Sequence, residues 1–340
     1  MFRSLVLSVV VMLSIVAQAA AQDVDLSTRV TAAVEQHILP RYARFATSAR
    51  ALSRAAFSNC NADDAELRRT YHAAFDDWVR VSHLRFGPSE TDNRAFALAF
   101  WPDTRGKTPK ALAGLIADES PAGLAAAELM QHSIAAQGFY ALDYLLYDPT
   151  YMTMGVPEYR CELIRSLSEG IAVRAEEING DWGQYFAAQM MAPSKAGAYH
   201  TSNEAAGELL KAVATGLQFT EEARLARPLG TFDRPRPKRA EAWRSGRSQL
   251  HVVLSLQATR ELTTVLAGTT SVGERMDDAF ETVLNNATFD DPVFAGVAEP
   301  IARLKVESLQ QYVNALREQV VAEMTVALDV SIGFNALDGD

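Results

Sequence analysis

Residues 63–86 read DDAELRRTYHAAFDDWVRVSHLRF, and this stretch sets Leu67, Tyr71, Ala74, Phe75, Trp78 and Val79 along one helical face before Gly87 and Pro88 stop it. Apolar residues recur every third or fourth position, as a half-buried helix requires, and do not alternate as a strand would. The same period extends outward in both directions. Residues 26–59 form a long amphipathic stretch bent at Pro40, and residues 158–191 form another. Between them Pro121, with Ser120 as its cap, is expected to open a helix that carries the chain to Asp148 and Pro149. Beyond a breaker-rich link at 192–197, helices are expected over 201–225, 248–266, 272–286 and 293–328, with a Pro-rich basic loop at 233–238. Runs of alternating β-branched residues are missing, so the fold class is all-α. Helices of this length on short connections pair antiparallel. The expected architecture is two packed four-helix-bundle-like domains, residues 22–192 and 198–340.

The first residues indicate a compartment. Met1-Phe2-Arg3, an apolar run from Leu5 to Val16 and the small residues up to Ala21 have the layout of a cleaved signal peptide over residues 1–21. The apolar run is shorter than the ~20 residues needed to span a bilayer, and no later segment is apolar for that long. No cysteine stands at the cleavage position to take a lipid. The periplasm is the expected location. The whole chain has a formal net charge of −10, and loss of a leader carrying Arg3 makes it −11, which argues against nucleic acid as a partner. Cys60 and Cys161 are the two cysteines. In an oxidising compartment a single disulfide between them is the simplest reading.

Chemistry concentrates in residues 138–148, GFYALDYLLYD. Tyr140, Asp143, Tyr144 and Tyr147 fall at i, i+3, i+4 and i+7, so three phenols and a carboxylate share one stripe. The run resembles the G-x-H-x-x-E signature of the imelysin-like family, with Gly138 kept, Tyr140 at the histidine position and Asp143 at the glutamate position. Further segments extend the resemblance over most of the chain: residues 83–88 (HLRFGP), 100–103 (FWPD), 243–248 (WRSGRS) and 333–340 (GFNALDGD). They look most like the branch of predicted periplasmic lipoproteins, although the lipid-attachment cysteine is absent. The resemblance implies a pair of helical bundles, a site near their interface, a link to bacterial iron uptake and, for the imelysin type, metallopeptidase activity. The substitutions change the ligand chemistry. Imidazole with carboxylate suits zinc, whereas phenol with carboxylate supplies only oxygen and leans toward hard cations such as ferric iron.

Two readings apply to the remaining candidates. Arg244, Ser245, Arg247 and Ser248 make a helix start that either attracts an anion, with Ser245 or Ser248 as cap, or is held by acids of the other bundle. His83, on the face of His72 and Asp76, is better placed as a structural histidine than as a ligand, because seven residues separate it from Asp76. Trp101 and Trp243 suit packing better than stacking on a ligand. No H-E-x-x-H, nucleophile elbow or glycine-rich phosphate loop is present. The expected function is therefore a periplasmic binding or accessory protein of iron or other metal acquisition, with an imelysin-type metallopeptidase and a non-catalytic envelope scaffold as alternatives. Its expected ligand is an iron or other divalent or trivalent metal ion, or that metal with a small anion. Tyr140 and Asp143 are the candidate metal ligands; Tyr144, Arg244, Ser245, Arg247, Ser248, His83, Arg85 and Trp101 complete the candidate binding set. An envelope protein is the other expected partner.

Overall fold

Asp64 begins the helix on which the sequence reading rests: its carboxylate accepts the Leu67 N–H at 2.8 Å, satisfying one of the donors that a helix start leaves free. The computed structural model describes residues 26–333; the expected leader and residues 334–340 lie outside them. In this helix, α2 (Ala65–Val79), the face bearing Leu67, Tyr71, Ala74, Phe75, Trp78 and Val79 is buried. Helix α1 (residues 26–58) precedes it and holds a π turn at Val34–Ile38. Pro40 has no N–H for the carbonyl of residue 36, and the wide turn just before it absorbs the missing bond.

Residues 121–148 depart from the expected single helix. They form a 3₁₀ turn at Pro121–Gly123, a short helix and a second 3₁₀ turn at Ile134–Ala136 before the helix that carries the Tyr/Asp stripe. Ser120 offers no side-chain cap; its carbonyl instead accepts from the Tyr159 hydroxyl at 2.9 Å. The successive elements here are α3 (Arg94–Leu98), α4 (Lys107–Ala117), α5 (Ala126–Leu129) and α6 (Gly138–Tyr147), followed by α7 (Pro157–Asp181), which continues through a π turn to Met191. Gly138 has φ +72°, and a Cβ there would collide with the carbonyl oxygens of Ala97 and Leu98. Only glycine lets α6 start this close to the backbone of α3.

The second half contains α8 (Ser202–Phe219), capped by Thr201 and extended through a π turn to Leu229, then α9 (Ser248–Ala267), α10 (Ser271–Asn285) and α11 (Pro300–Leu328). The helix expected from residue 293 begins only at Pro300, after a 3₁₀ turn at Ala295–Ala298.

Helix α1 packs on α2 and α7, and α6 on α7; α8 packs on α9 and α11, and α10 on the same two. The result is all-α, two packed four-helix groups, with one isolated bridge at Thr231 and Arg234 among the described residues. Cys60 and Cys161 are joined in a disulfide with Cα atoms 5.1 Å apart, tying the end of α1 to the first turn of α7. Helix α2 meets α9 across the seam between the groups. Arg247 pairs with Asp76 there, Arg244 with Asp148 at 2.8 Å, and Arg29 donates to the Leu266 carbonyl at 3.0 Å. Among the described residues no helix is long and apolar enough to cross a membrane.

Candidate functional site

The start of α6 fixed by Gly138 aims Tyr140, Asp143 and Tyr144 at the seam, where they border a cleft of about 120 Å³. Its other walls are Trp101 and Asp103 from the segment between α3 and α4, Thr108 from the first turn of α4, Arg227 from the extension of α8, and residues 238–240 and 242–244 before α9. Both halves of the chain therefore contribute.

Beneath the cleft is a sealed polar network. The Tyr140 hydroxyl donates to Glu241 Oε1 at 2.6 Å; Glu241 Oε2 accepts from Arg224 Nε at 2.6 Å and lies 3.2 Å from His251 Nδ1. His251 Nε2 stands 3.6 Å from Asp76, which binds Arg247. Arg224 donates further to Thr220 and Ser255 at 3.3 and 3.1 Å. Burial opposes charge on Glu241, but the Arg224 guanidinium and the His251 bond hold its carboxyl far below the usual range. His251 is pushed up: burial acts against its charge, and the nearby Asp76 and Glu241 carboxylates more than compensate. Tyr140 is driven well above a free phenol by burial and then by the Glu241 charge.

Asp143 accepts from the Tyr71 hydroxyl at 3.0 Å, and burial raises its carboxyl despite Ser245, Arg244 and Tyr71 nearby. Tyr144 lies half-exposed under the Arg244 guanidinium, 3.8 Å from its ring centre. Trp101 stacks on Tyr140 with centroids 6.1 Å apart and also meets Phe219, so it packs while still lining the cleft.

The structure thus gathers Tyr140, Asp143, Tyr144, Trp101 and Arg244 at one place. Ser245 and Ser248 sit behind it and cap nothing: their hydroxyls donate to the carbonyls of Ala242 at 3.2 Å and Glu241 at 2.6 Å, and Arg247 is the uncapped residue before α9. Arg247 itself faces Asp76. Arg85 pairs with Glu90 at 2.6 Å beside Phe96, away from the cleft walls. His83 is also elsewhere, buried with its Nε2 3.2 Å from His37 Nε2. Arg41 Nε donates to His37 Nδ1, which places the shared proton on His37 Nε2 and leaves His83 Nδ1 without a partner. Burial and the Arg41 charge lower His37 to about 3, and burial lowers His83 as well.

Sequence reasoning missed Glu241, His251 and Arg224, which lie 17, 10 and 31 residues from one another or from Ser255 along the chain yet meet here. It saw the basic loop but assigned it nothing, although Lys238 and Arg239 line the cleft. The spacing of His251 four residues after Arg247 was the available signal, since both then face α2.

These residues do not fit a bare metal ion. Tyr140 donates its hydroxyl hydrogen bond to a carboxylate, Asp143 is held toward its protonated form, and no group of three or more His, Cys, Asp or Glu side chains among the described residues is arranged to hold a metal ion. The proposed pair Tyr140 and Asp143 is occupied by Glu241 and Tyr71 instead.

The imelysin family profile matches residues 38–321. Iron-regulated protein A of Synechococcus elongatus is 25% identical over 217 residues, which cover 62% of this chain and 56% of that protein. The matched region thus spans little more than half the length of this curated relative. Among solved structures, an imelysin-like protein from Psychrobacter arcticum superposes with a TM-score of 0.74 at 20% identity, over 91% of this chain and 97% of its own. An iron-regulated protein A precursor from Parabacteroides distasonis gives 0.68 at 13% identity, over 90% and 94%. At these identities the two structures establish the fold alone.

Proposed function

This chain belongs to the imelysin family, and from that premise we propose that it is an exported, non-catalytic binding component of an iron-related process, with the cleft between its two halves as the ligand site. The observation that carries the reading is the cleft itself: the segment altered from the family signature forms one wall, and residues from the other half close it. The network below supports a rigid receptor. Tyr140 and Glu241 are locked in a mutual bond, and Arg224 and His251 consume the remaining carboxylate oxygen, so neither is placed as a free base or nucleophile. The iron connection comes from a relative named for its regulation by iron, and the signal-like leader supplies the compartment.

Growth of a strain lacking the protein tests this. It is expected to match the parent in iron-replete medium and to fall behind when iron is chelated, with recovery on returning the gene or adding iron. Equal growth of both strains under chelation overturns the proposal.

A further inference from the structure

Four cations converge on the cleft of an acidic protein: Arg227, Lys238, Arg239 and Arg244. Arg244 alone has an acid partner, Asp148. Among the described residues Arg227, Lys238 and Arg239 make no ion pair, and the Nε of Arg227 is buried without a hydrogen-bond partner. Arg227 is discouraged from carrying charge by burial and by the nearby Arg239, so these guanidiniums repel across the opening. Thr108, 2% exposed and on the cleft wall, also has a hydroxyl without a partner. Buried polar groups are rarely left so, and two of them on the walls of one cationic opening mark a place that a ligand can complete.

The acids at the cleft do not neutralise these charges. Asp103 accepts the N–H groups of Lys107 and Thr108 at 2.9 and 2.8 Å, as a helix-start carboxylate does, and Asp143 is sealed against Tyr71. The cations are held in place by aromatic faces: Arg227 lies 5.7 Å from the Trp101 centre, Lys238 5.6 Å from Trp243, and Arg244 4.6 Å from Trp243. A guanidinium seated over a ring keeps its N–H edge available for a carboxylate.

We propose that the cleft binds a small polycarboxylate anion, its carboxylates shared among Arg227, Lys238, Arg239 and Arg244 and a further oxygen facing the Thr108 hydroxyl. This rests on the cleft being the ligand site and names its ligand class. Any iron then arrives already held by the anion, which removes the need for a protein ligand set. Multiple charge-assisted bonds to one anion give selectivity for carboxylate count, and the cationic opening in an acidic surface steers the anion inward.

Calorimetric titration of the mature protein tests the class, with citrate, succinate, inorganic phosphate, glucose, putrescine and ferric ion as separate probes. Citrate is expected to bind, more tightly than succinate or phosphate, and less tightly as salt rises. Lys238→Glu and Arg239→Glu, both at exposed positions, and Arg227→Gln are each expected to weaken citrate by about tenfold or more. Unchanged citrate affinity in all three variants overturns the site, and phosphate binding more tightly than citrate overturns the carboxylate assignment. Binding of glucose, putrescine or bare ferric ion in place of citrate overturns the anion class while leaving a binding cleft. Absence of citrate binding overturns this inference even if the iron-limited growth defect is found, so the two proposals fail separately.

Discussion

The seam between the halves contains two charged regions built on opposite terms. In the floor, Glu241, Arg224, His251, Asp76 and Arg247 each face an opposite charge, and Tyr140 closes the network. At the rim, Arg227, Lys238 and Arg239 line the cleft without an ion pair among the described residues, Lys238 and Arg239 exposed and Arg227 part-buried beside Arg239. A fully buried charge left unpaired costs several kcal/mol, whereas a charge that reaches water can wait for a partner from outside. The floor therefore answers to stability and the rim to ligand.

Breaking the covalent tie between α1 and α7 should have the largest effect. The loop closed by Cys60 and Cys161 spans 101 residues, and Cys60→Ser with Cys161→Ser should cost about 4–5 kcal/mol in the chain-entropy picture. Denaturant unfolding of the double variant against the oxidised parent measures it; equal midpoints would show that the bridge constrains nothing. Next, Glu241→Ala should cost about 3–5 kcal/mol, because Arg224 and His251 lose their shared partner inside the protein. Thermal melts at neutral pH read this, and a loss under about 1 kcal/mol would mean that the floor is not a paired network.

Acid should separate the two regions further. His37 at about 3 and His72 at about 4, both lowered chiefly by burial, stay neutral in the fold while the unfolded chain takes up protons near 6.5. The unfolded state then binds more protons, so the stability they confer is full above 6.5 and declines as pH falls toward 4, by about 3 kcal/mol for His37, with His72 adding less because it is partly open to solvent. Glu241, held low, adds its loss below the ordinary glutamate value of 4.5. His251, held high, works the other way: its contribution is full below 6.5 and is lost as pH rises through its folded value. The melting temperature should peak near neutrality. His37→Gln should flatten the acid limb and His251→Gln the alkaline limb; limbs of unchanged slope would assign the decline to other groups.

The smallest effect is at the rim. Arg239→Gln should leave the ligand-free protein unchanged or raise its stability by about 0.5 kcal/mol through relief of repulsion with Arg227. A loss above about 1 kcal/mol would place Arg239 among the structural charges and erase the contrast.

Much of the fold was legible because helix formation is local. Residues 63–86 carry their own period, and the helix forms on it over Ala65–Val79, but it ends seven residues before the expected Phe86, where the chain turns away ahead of the Gly87-Pro88 stop signal. Residues 121–148 misled for an equally physical reason: a Pro start signal shows that a helix can begin, not that tertiary contacts will let it continue, and here Tyr159 and the approach of Gly138 to α3 divide the segment into short turns. At the site, the stripe of Tyr140, Asp143 and Tyr144 was readable from spacing, as was the proximity of Arg244 to acids. Their partners were not.

Sequence alone determined the helices, the all-α class and the cysteines available for a bridge, since periodicity and composition act over a few residues or over the whole chain. The tertiary structure decided that Tyr140 would meet Glu241, 101 residues away, that Asp143 would be sealed by Tyr71, and that a basic loop given no role from sequence would line a cleft together with Trp101 and Trp243. The reason is electrostatic as much as topological. A charged side chain has no fixed meaning until burial and neighbours set whether it is paired, and neither quantity exists before the chain has closed on itself.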